Sequence, residues 1–306
     1  MSPKDTPHTP PLARAPHDRA ADERLVPDLV AMLRADSASR VLVVWGDQAP
    51  LSPTGSLAFV APDAVAGEAV WAFLGRDAGG SALLVAAFDA DAEGPVPAPE
   101  WGALRAVGGD LPPEEASVFV SALALGRWLL DSRYCPRCGG RTELRAAGWS
   151  RRCTVCGREH FPRTDPAVIV AVTDASGDRL LLGKNARWVQ RNVYSAFAGF
   201  VEAGESLESA IVREIAEESG VVVRGIRYRG SQAWPYPRSL MLGFHAVADD
   251  PDAARPDGEE IVDVRWFTRP EIRAALAGDG DVQLPGAASI AHRLIRDWID
   301  GDEDRP

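Results

Sequence analysis

The chain has 306 residues and a mass of 32.8 kDa, 46% hydrophobic and 25% charged, which is room for about two domains that each bury a core of their own. No apolar run approaches the 18 or so residues that a membrane span needs, so an integral helical membrane protein is excluded. With 33 basic against 44 acidic side chains the net charge is −11, the wrong sign for coating nucleic acid by counterion release, although a local basic patch stays compatible with it.

Residues 1–24 are rich in proline, charge and small residues, with neither a hydrophobic period nor an apolar export segment. They read as a disordered leader on a cytoplasmic protein. Residues 25–131 predict a small α/β N-terminal domain. Its strand signals are Val41–Trp45, Leu57–Val60 and Leu83–Phe88, and Pro112, Pro113, Glu114 and Glu115 open a helix whose apolar residues, Val118 to Leu129, recur at helical spacing. No catalytic constellation lies in this stretch.

Residues 132–164 predict a separate zinc ribbon. All four cysteines fall in two C-x2-C knuckles, Cys135/Cys138 and Cys153/Cys156, separated by 14 residues, a spacing that gives one Zn2+ a closed tetrahedral, structural site. Two disulfides or free thiols are the alternative, disfavoured in a chain without an export signal. Eight arginines between Arg133 and Arg163 face only Glu143 and Glu159, a local excess of +6 that would guide an anionic substrate or simply form a solvated surface.

From 165 to 299 strands (167–172, 180–183, 221–233, 240–248, 260–268) mix with helices at 207–219 and 289–299. This predicts an α/β (α+β) sandwich in place of a dinucleotide-binding doubly wound sheet. On the first of these helices Glu214, Glu217 and Glu218 stand at i, i+3 and i+4, one face that overlaps the apolar stripe of Leu207, Ile211 and Ile215. Carboxylates leaning into a fold are costly without a counter-ion, and a hard divalent cation such as Mg2+ or Mn2+ supplies one while keeping positions for phosphate oxygens. Residues 300–306 read as a solvated acidic tail.

Gly199, Glu205, Arg213, Glu214, Ile215, Glu217, Glu218, Gly220 and Val221 match every fixed position of G-x5-E-x7-R-E-U-x-E-E-x-G-U, nine positions over 23 residues. The chain thereby resembles the Nudix hydrolases, which cleave a nucleoside diphosphate linked to another group. The resemblance implies that Glu214, Glu217 and Glu218 hold the metal, with the Gly199 carbonyl and an outside acid, Glu260 ahead of its neighbour Glu259, as further ligands. It implies Glu217 as first choice for the base and a supporting pair of Glu205 and Arg213.

Past the box, Ser231-Gln232-Ala233-Trp234-Pro235-Tyr236-Pro237-Arg238-Ser239 resembles the S-Q-P-W-P-F-P-x-S motif of the NADH pyrophosphatase family, with Ala233 and Tyr236 as departures. The ribbon before the catalytic domain and Leu284–Ile295 agree with that family. The likeness covers residues 110–297. It implies a substrate wall from Gln232 through Ala233, Trp234, Pro235, Tyr236, Pro237 and Arg238 to Ser239, stacking faces at Phe161 and Phe200, and pocket-lining Ala198 and Ala291. The activity it implies is hydrolysis of NADH or NAD+ to a nicotinamide mononucleotide and AMP by a homodimer, with removal of NAD caps from RNA as a related activity. Competing readings are a Nudix pyrophosphatase for another dinucleotide or ADP-ribose, and a non-catalytic zinc-ribbon protein that binds nucleic acid.

Overall fold

The computed structural model describes residues 9–15 and 17–301. The chain divides into two compact units, one holding Leu12–Thr164 together with Trp234–Arg238, the other Asp165–Ala233 and the chain from Ser239 onward.

The first unit is built on strands β1 (Arg40–Trp45), β2 (Gln48–Leu51), β3 (Val70–Arg76), β4 (Ala82–Phe88) and β5 (Glu100–Ala103), in the order β3-β4-β1-β2-β5. β1 and β4 pair in parallel, Val41 with Leu84 and Val43 with Ala86. Both read as unbroken apolar runs because both of their faces are covered. Helices α1 (Leu29–Ala35), α2 (Leu104–Val107) and α3 (Pro113–Asp131) complete the layer, and α3 comes close enough to β4 that a Cβ on Gly126 would lie 3.0 Å from Ala87.

Three expectations change here. The segment Leu57–Val60 is no strand: its backbone divides its hydrogen bonds between Val41, Pro50 and the Glu115 carboxylate. β3 carries no alternation to announce it, and its register shifts between Phe73 and Gly75. The described part of the expected leader is structured. Arg76 N donates to the Asp18 carbonyl at 2.8 Å, a Cβ on Gly75 would stand 2.0 Å from that oxygen, and His17 Nε2 lies 3.2 Å from the Leu74 carbonyl. Leu12 and Ala20 are buried, so burial and strand-like pairing offset the ordering entropy that composition alone suggests is uncompensated. Residues 1–8 and the end of the acidic tail, 302–306, lie outside the described residues.

The ribbon is the three-stranded sheet β6 (Thr142–Arg145), β7 (Ser150–Cys153) and β8 (Glu159–His160). Instead of standing apart it shares the first unit. Trp149 Nε1 donates to the Phe73 carbonyl at 2.8 Å, and buried Arg151 donates to the Leu129 carbonyl at 2.7 Å. Arg151 is thereby withdrawn from the basic surface.

The second unit is a six-stranded sheet of β9 (Asp165–Thr173), β10 (Arg179–Asn185), β11 (Phe197–Phe200), β12 (Val223–Trp234), β13 (Ser239–Ala248) and β14 (Ile261–Thr268). Its order is β12-β13-β9-β10-β14, with β11 paired to β9. α4 (Leu207–Ser219) covers one face through Ala210, Ile211 and Ile215, and α6 (Ile290–Asp300) the other through Leu294, Ile295 and Trp298. This is the expected sandwich. α5 (Arg269–Ala277) was missed, although its capping box of Thr268 and Glu271 is a readable helix start. Among the described residues no helix is long and apolar enough to cross a membrane.

Candidate active site

Ser206 Oγ accepts from Ser209 N at 3.2 Å to start α4, and Gly220 ends it in the left-handed region at φ 68°. The Glu214, Glu217 and Glu218 carboxylates of this helix are graded and do not all lean inward. The Glu218 residue is 5% exposed and the Glu214 side chain 15%, whereas the Glu217 side chain is 60% exposed and turns onto Arg213.

Arg213 organises the loop before the helix. Its Nε and Nη2 donate to the two oxygens of Glu205 at 2.9 Å each, Nη2 also reaches the Phe200 carbonyl at 3.0 Å, and Nη1 pairs with Glu214 at 2.8 Å and Glu217 at 3.1 Å. Five contacts from one planar group fix β11, the loop and the helix together. The Arg213 donors, with Glu202 N, pull the Glu205 carboxyl down from 4.5 to about 2. A depressed acid stabilises the fold above its unfolded value and stops doing so as pH falls through its folded one. The wild type is therefore expected to lose stability between about pH 4.5 and 2 more steeply than Glu205→Gln, measured by denaturant unfolding across that window.

Gly199 lies against the Glu214 carboxylate: a Cβ there would fall 1.9 Å from its Cδ. Glu218 is pushed up to about 8, first by burial and then by the charges of Glu260, Glu214 and Asp257, and its Oε2 has no hydrogen-bond partner. Burial likewise raises Glu214, and Glu260 adds to it. Glu260 is exposed just before β14 and accepts from Asn185 Nδ2 at 3.2 Å, while its carbonyl accepts from Ala186 N at 2.8 Å. Glu259 is exposed too, its backbone N–H on Asp257. Oxygen-only donors, an unpartnered buried carboxylate oxygen and two acids held above their usual range together fit a hard divalent cation.

Among the described residues the four cysteines are the metal-ligating group whose donor atoms all lie within 4.8 Å. Cys135 Sγ is 3.7 Å from Cys156 and Cys138 Sγ 3.5 Å from Cys153. These separations are too long for a disulfide and close to the edge of about 3.8 Å of a tetrahedron whose Zn–S distance is about 2.3 Å. Each knuckle closes on a left-handed glycine, Gly139 at φ 70° and Gly157 at φ 71°. Hydrogen bonds from the Cys156 and Val155 backbone lower the Cys153 thiol to about 6, favouring the thiolate that a metal needs. About one zinc per chain is expected by elemental analysis, and replacing Cys138 by serine should remove it and lower the melting temperature.

In the aromatic segment, Trp234 and Tyr236 stand 5.0 Å apart, tilted by 54°. Arg127 Nη1 donates to the Pro235 carbonyl at 2.7 Å, Arg105 N to the Tyr236 hydroxyl at 3.0 Å, and both guanidiniums lie within about 5 Å of the Tyr236 ring. The phenolic oxygen that marks the departure from phenylalanine is thus in use. Nothing in the sequence links Arg105 or Arg127 to this segment. Trp234–Arg238 belongs to the first unit, not to the 165–299 domain.

Gln232, expected on the substrate wall, is buried and donates to the Ala288 carbonyl at 2.9 Å. Ser239 is buried at the start of β13, and Ala291, on α6, is buried against the core. Ala198 is partly buried against that core, and Phe161 and Phe200 are both half exposed, on different units. His292 sits 2.9 Å from the Pro285 carbonyl through Nδ1.

A family model described as NUDIX domain matches residues 163–285, and one described as NADH pyrophosphatase zinc ribbon domain matches residues 130–161. The chain is 42% identical over 308 residues to the NAD-capped RNA hydrolase NudC of Mycobacterium tuberculosis, covering 94% of each chain. It is 38% identical over 219 residues to the protein of that name from Stutzerimonas stutzeri, 72% of this chain and 75% of that one. For the Pseudomonas aeruginosa protein the identity is 40% over 202 residues, 65% and 67% of the two chains.

Proposed function

The chain belongs to the Nudix hydrolases that carry the NADH pyrophosphatase zinc ribbon, and from that footing we propose that it hydrolyses the pyrophosphate of NADH or NAD+, and of NAD-capped RNA, in the cytoplasm as a homodimer. The observation that carries this reading is the buried Glu218 carboxylate, its Oε2 without a hydrogen-bond partner, under the charges of Glu214 and Glu260 on the helix that Arg213 ties to its loop.

Water adds to one phosphorus, the bridging P–O bond breaks, and the second phosphate leaves as a monophosphate. Free NADH gives reduced nicotinamide mononucleotide and AMP; capped RNA gives nicotinamide mononucleotide and a 5′-monophosphate end. A divalent ion, Mg2+ or Mn2+, held by Glu214, Glu217, Glu218 and Glu260 with the Gly199 carbonyl, would neutralise phosphate charge and promote ionisation of water. Glu217, more exposed than Glu214 and Glu218, is the group free to swing from Arg213 and take the proton from water. Arg213 holds the Glu205 loop in register, so its effect on turnover is one of positioning. Phe200, half exposed at the end of β11, offers a ring face for a base or the nicotinamide. Zn2+ held by Cys135, Cys138, Cys153 and Cys156 would have all four positions taken by thiolates and would serve structure, not the chemistry.

Phosphate release from NADH, coupled to a phosphatase, is expected to fall by about 10²- to 10⁴-fold in Glu217→Gln. Equal rates in the two proteins would overturn the assignment, and faster turnover of ADP-ribose than of NADH would reassign the substrate.

A further inference from the structure

Between β10 and β11 the chain makes a 3-10 turn, Ala186–Arg191, whose residues are all exposed. It is not a loose loop. At its start Asn185 Oδ1 accepts from Arg187 N at 3.0 Å, Asn185 Nδ2 holds the Glu260 carboxylate, and Ala186 N holds the Glu260 carbonyl. At its end Lys184 Nζ donates to Asn192 Oδ1 at 2.9 Å, Gln283 N to the Asn192 carbonyl at 2.9 Å, and the Tyr194 hydroxyl to Asp263.

Between these anchors stand Arg187, Trp188, Val189 and Arg191. Trp188 is 37% exposed and Val189 50%, and neither arginine pairs with a described residue, in a chain that carries 44 acidic groups. The turn therefore presents two unpaired guanidiniums flanking an indole on a rigid support, joined directly to the Glu260 acid whose charge acts on Glu214 and Glu218. Guanidiniums spaced around an aromatic face suit a phosphodiester strand with unstacked bases: the cations meet phosphates and the ring takes a base.

We infer that this turn is the docking point for the single-stranded RNA that continues beyond the dinucleotide. This rests on the proposed hydrolase activity and adds to it a site for the nucleotides after the cap. It places part of the RNA contact on the catalytic unit itself, independent of the ribbon arginines.

The test compares kcat/KM for free NADH and for a short NAD-capped RNA in the wild type, Arg187→Ala/Arg191→Ala and Trp188→Ala. Both variants are expected to keep NADH turnover within about twofold. On capped RNA the double variant should lose about 10-fold at low salt, with a log–log salt slope shallower by about 1.4, two phosphate contacts on a single strand. Trp188→Ala should lose about 5-fold or more on capped RNA with the salt slope unchanged. Equal losses on both substrates, no loss on capped RNA, or a loss confined to binding of anionic lipid vesicles would each overturn the inference. A wild type that turns over NADH but not capped RNA also overturns it while leaving the hydrolase reading intact. A wild type inert on both substrates refutes the hydrolase reading itself.

Discussion

Glu218→Gln is expected to lower NADH turnover by about 10³-fold and at the same time to make the protein more stable in magnesium- and manganese-free buffer at alkaline pH. The two effects have one cause. Glu218 is 5% exposed, and burial, with the charges of Glu260, Glu214 and Asp257, pushes its carboxyl up from 4.5 to about 8. An acid with a raised folded pKa binds its proton more tightly when folded. Stability is then greatest below the unfolded value and is lost as pH rises through 4.5 toward 8. Glutamine keeps the shape of the neutral acid and cannot ionise, so the variant should lose this pH dependence. Thermal melting of both proteins between about pH 5 and 9, with turnover measured in parallel, checks it. A wild type whose melting temperature stays level across that window would show that the buried carboxylate is not charged at a cost.

Gly199→Ala is expected to cost at least about 10²-fold in turnover while shifting the melting temperature little. The new Cβ would fall 1.9 to 2.3 Å from the carboxylate atoms of Glu214, so one partner must move. The strand is the fixed partner, because β11 pairs with β9, Gly199 opposite Val168, while the end of a glutamate side chain is free to rotate away. Stability is spared, but the Glu214 carboxylate leaves its place beside Glu218. Turnover retained together with a large loss of stability would mean that the strand yields instead. The comparison with Glu218→Gln is informative: both variants lose activity, but only Glu218→Gln gains stability at high pH.

Much of the site was legible because its chemistry demands fixed spacings. A trio of acids on one turn of helix, a glycine ahead of it on a strand and an arginine eight residues from its partner acid can be written only one way along a chain, as can two C-x2-C knuckles. What periodicity could not supply was the depth of each acid. Helical geometry put Glu214, Glu217 and Glu218 on one face, yet the cover from the sheet buries Glu218 and leaves Glu217 on Arg213. Binary pattern failed where burial is two-sided or pairing is split, at β3 and at Leu57–Val60. It also misread residues 17–20, whose order comes from a strand edge and a core far along the chain.

By itself, the sequence determined the family, the four-cysteine cluster and the identity of the acidic trio, since each is a local pattern that survives in one dimension. Only the tertiary structure decided which carboxylate is starved of solvent, that Arg105 and Arg127 brace Tyr236, that Gln232 and Ala291 are buried, and that a basic, aromatic turn is fastened to Glu260. Those are contacts between residues distant in the chain, and solvent exclusion and electrostatic coupling depend on what folding brings near, which spacing along a sequence does not encode.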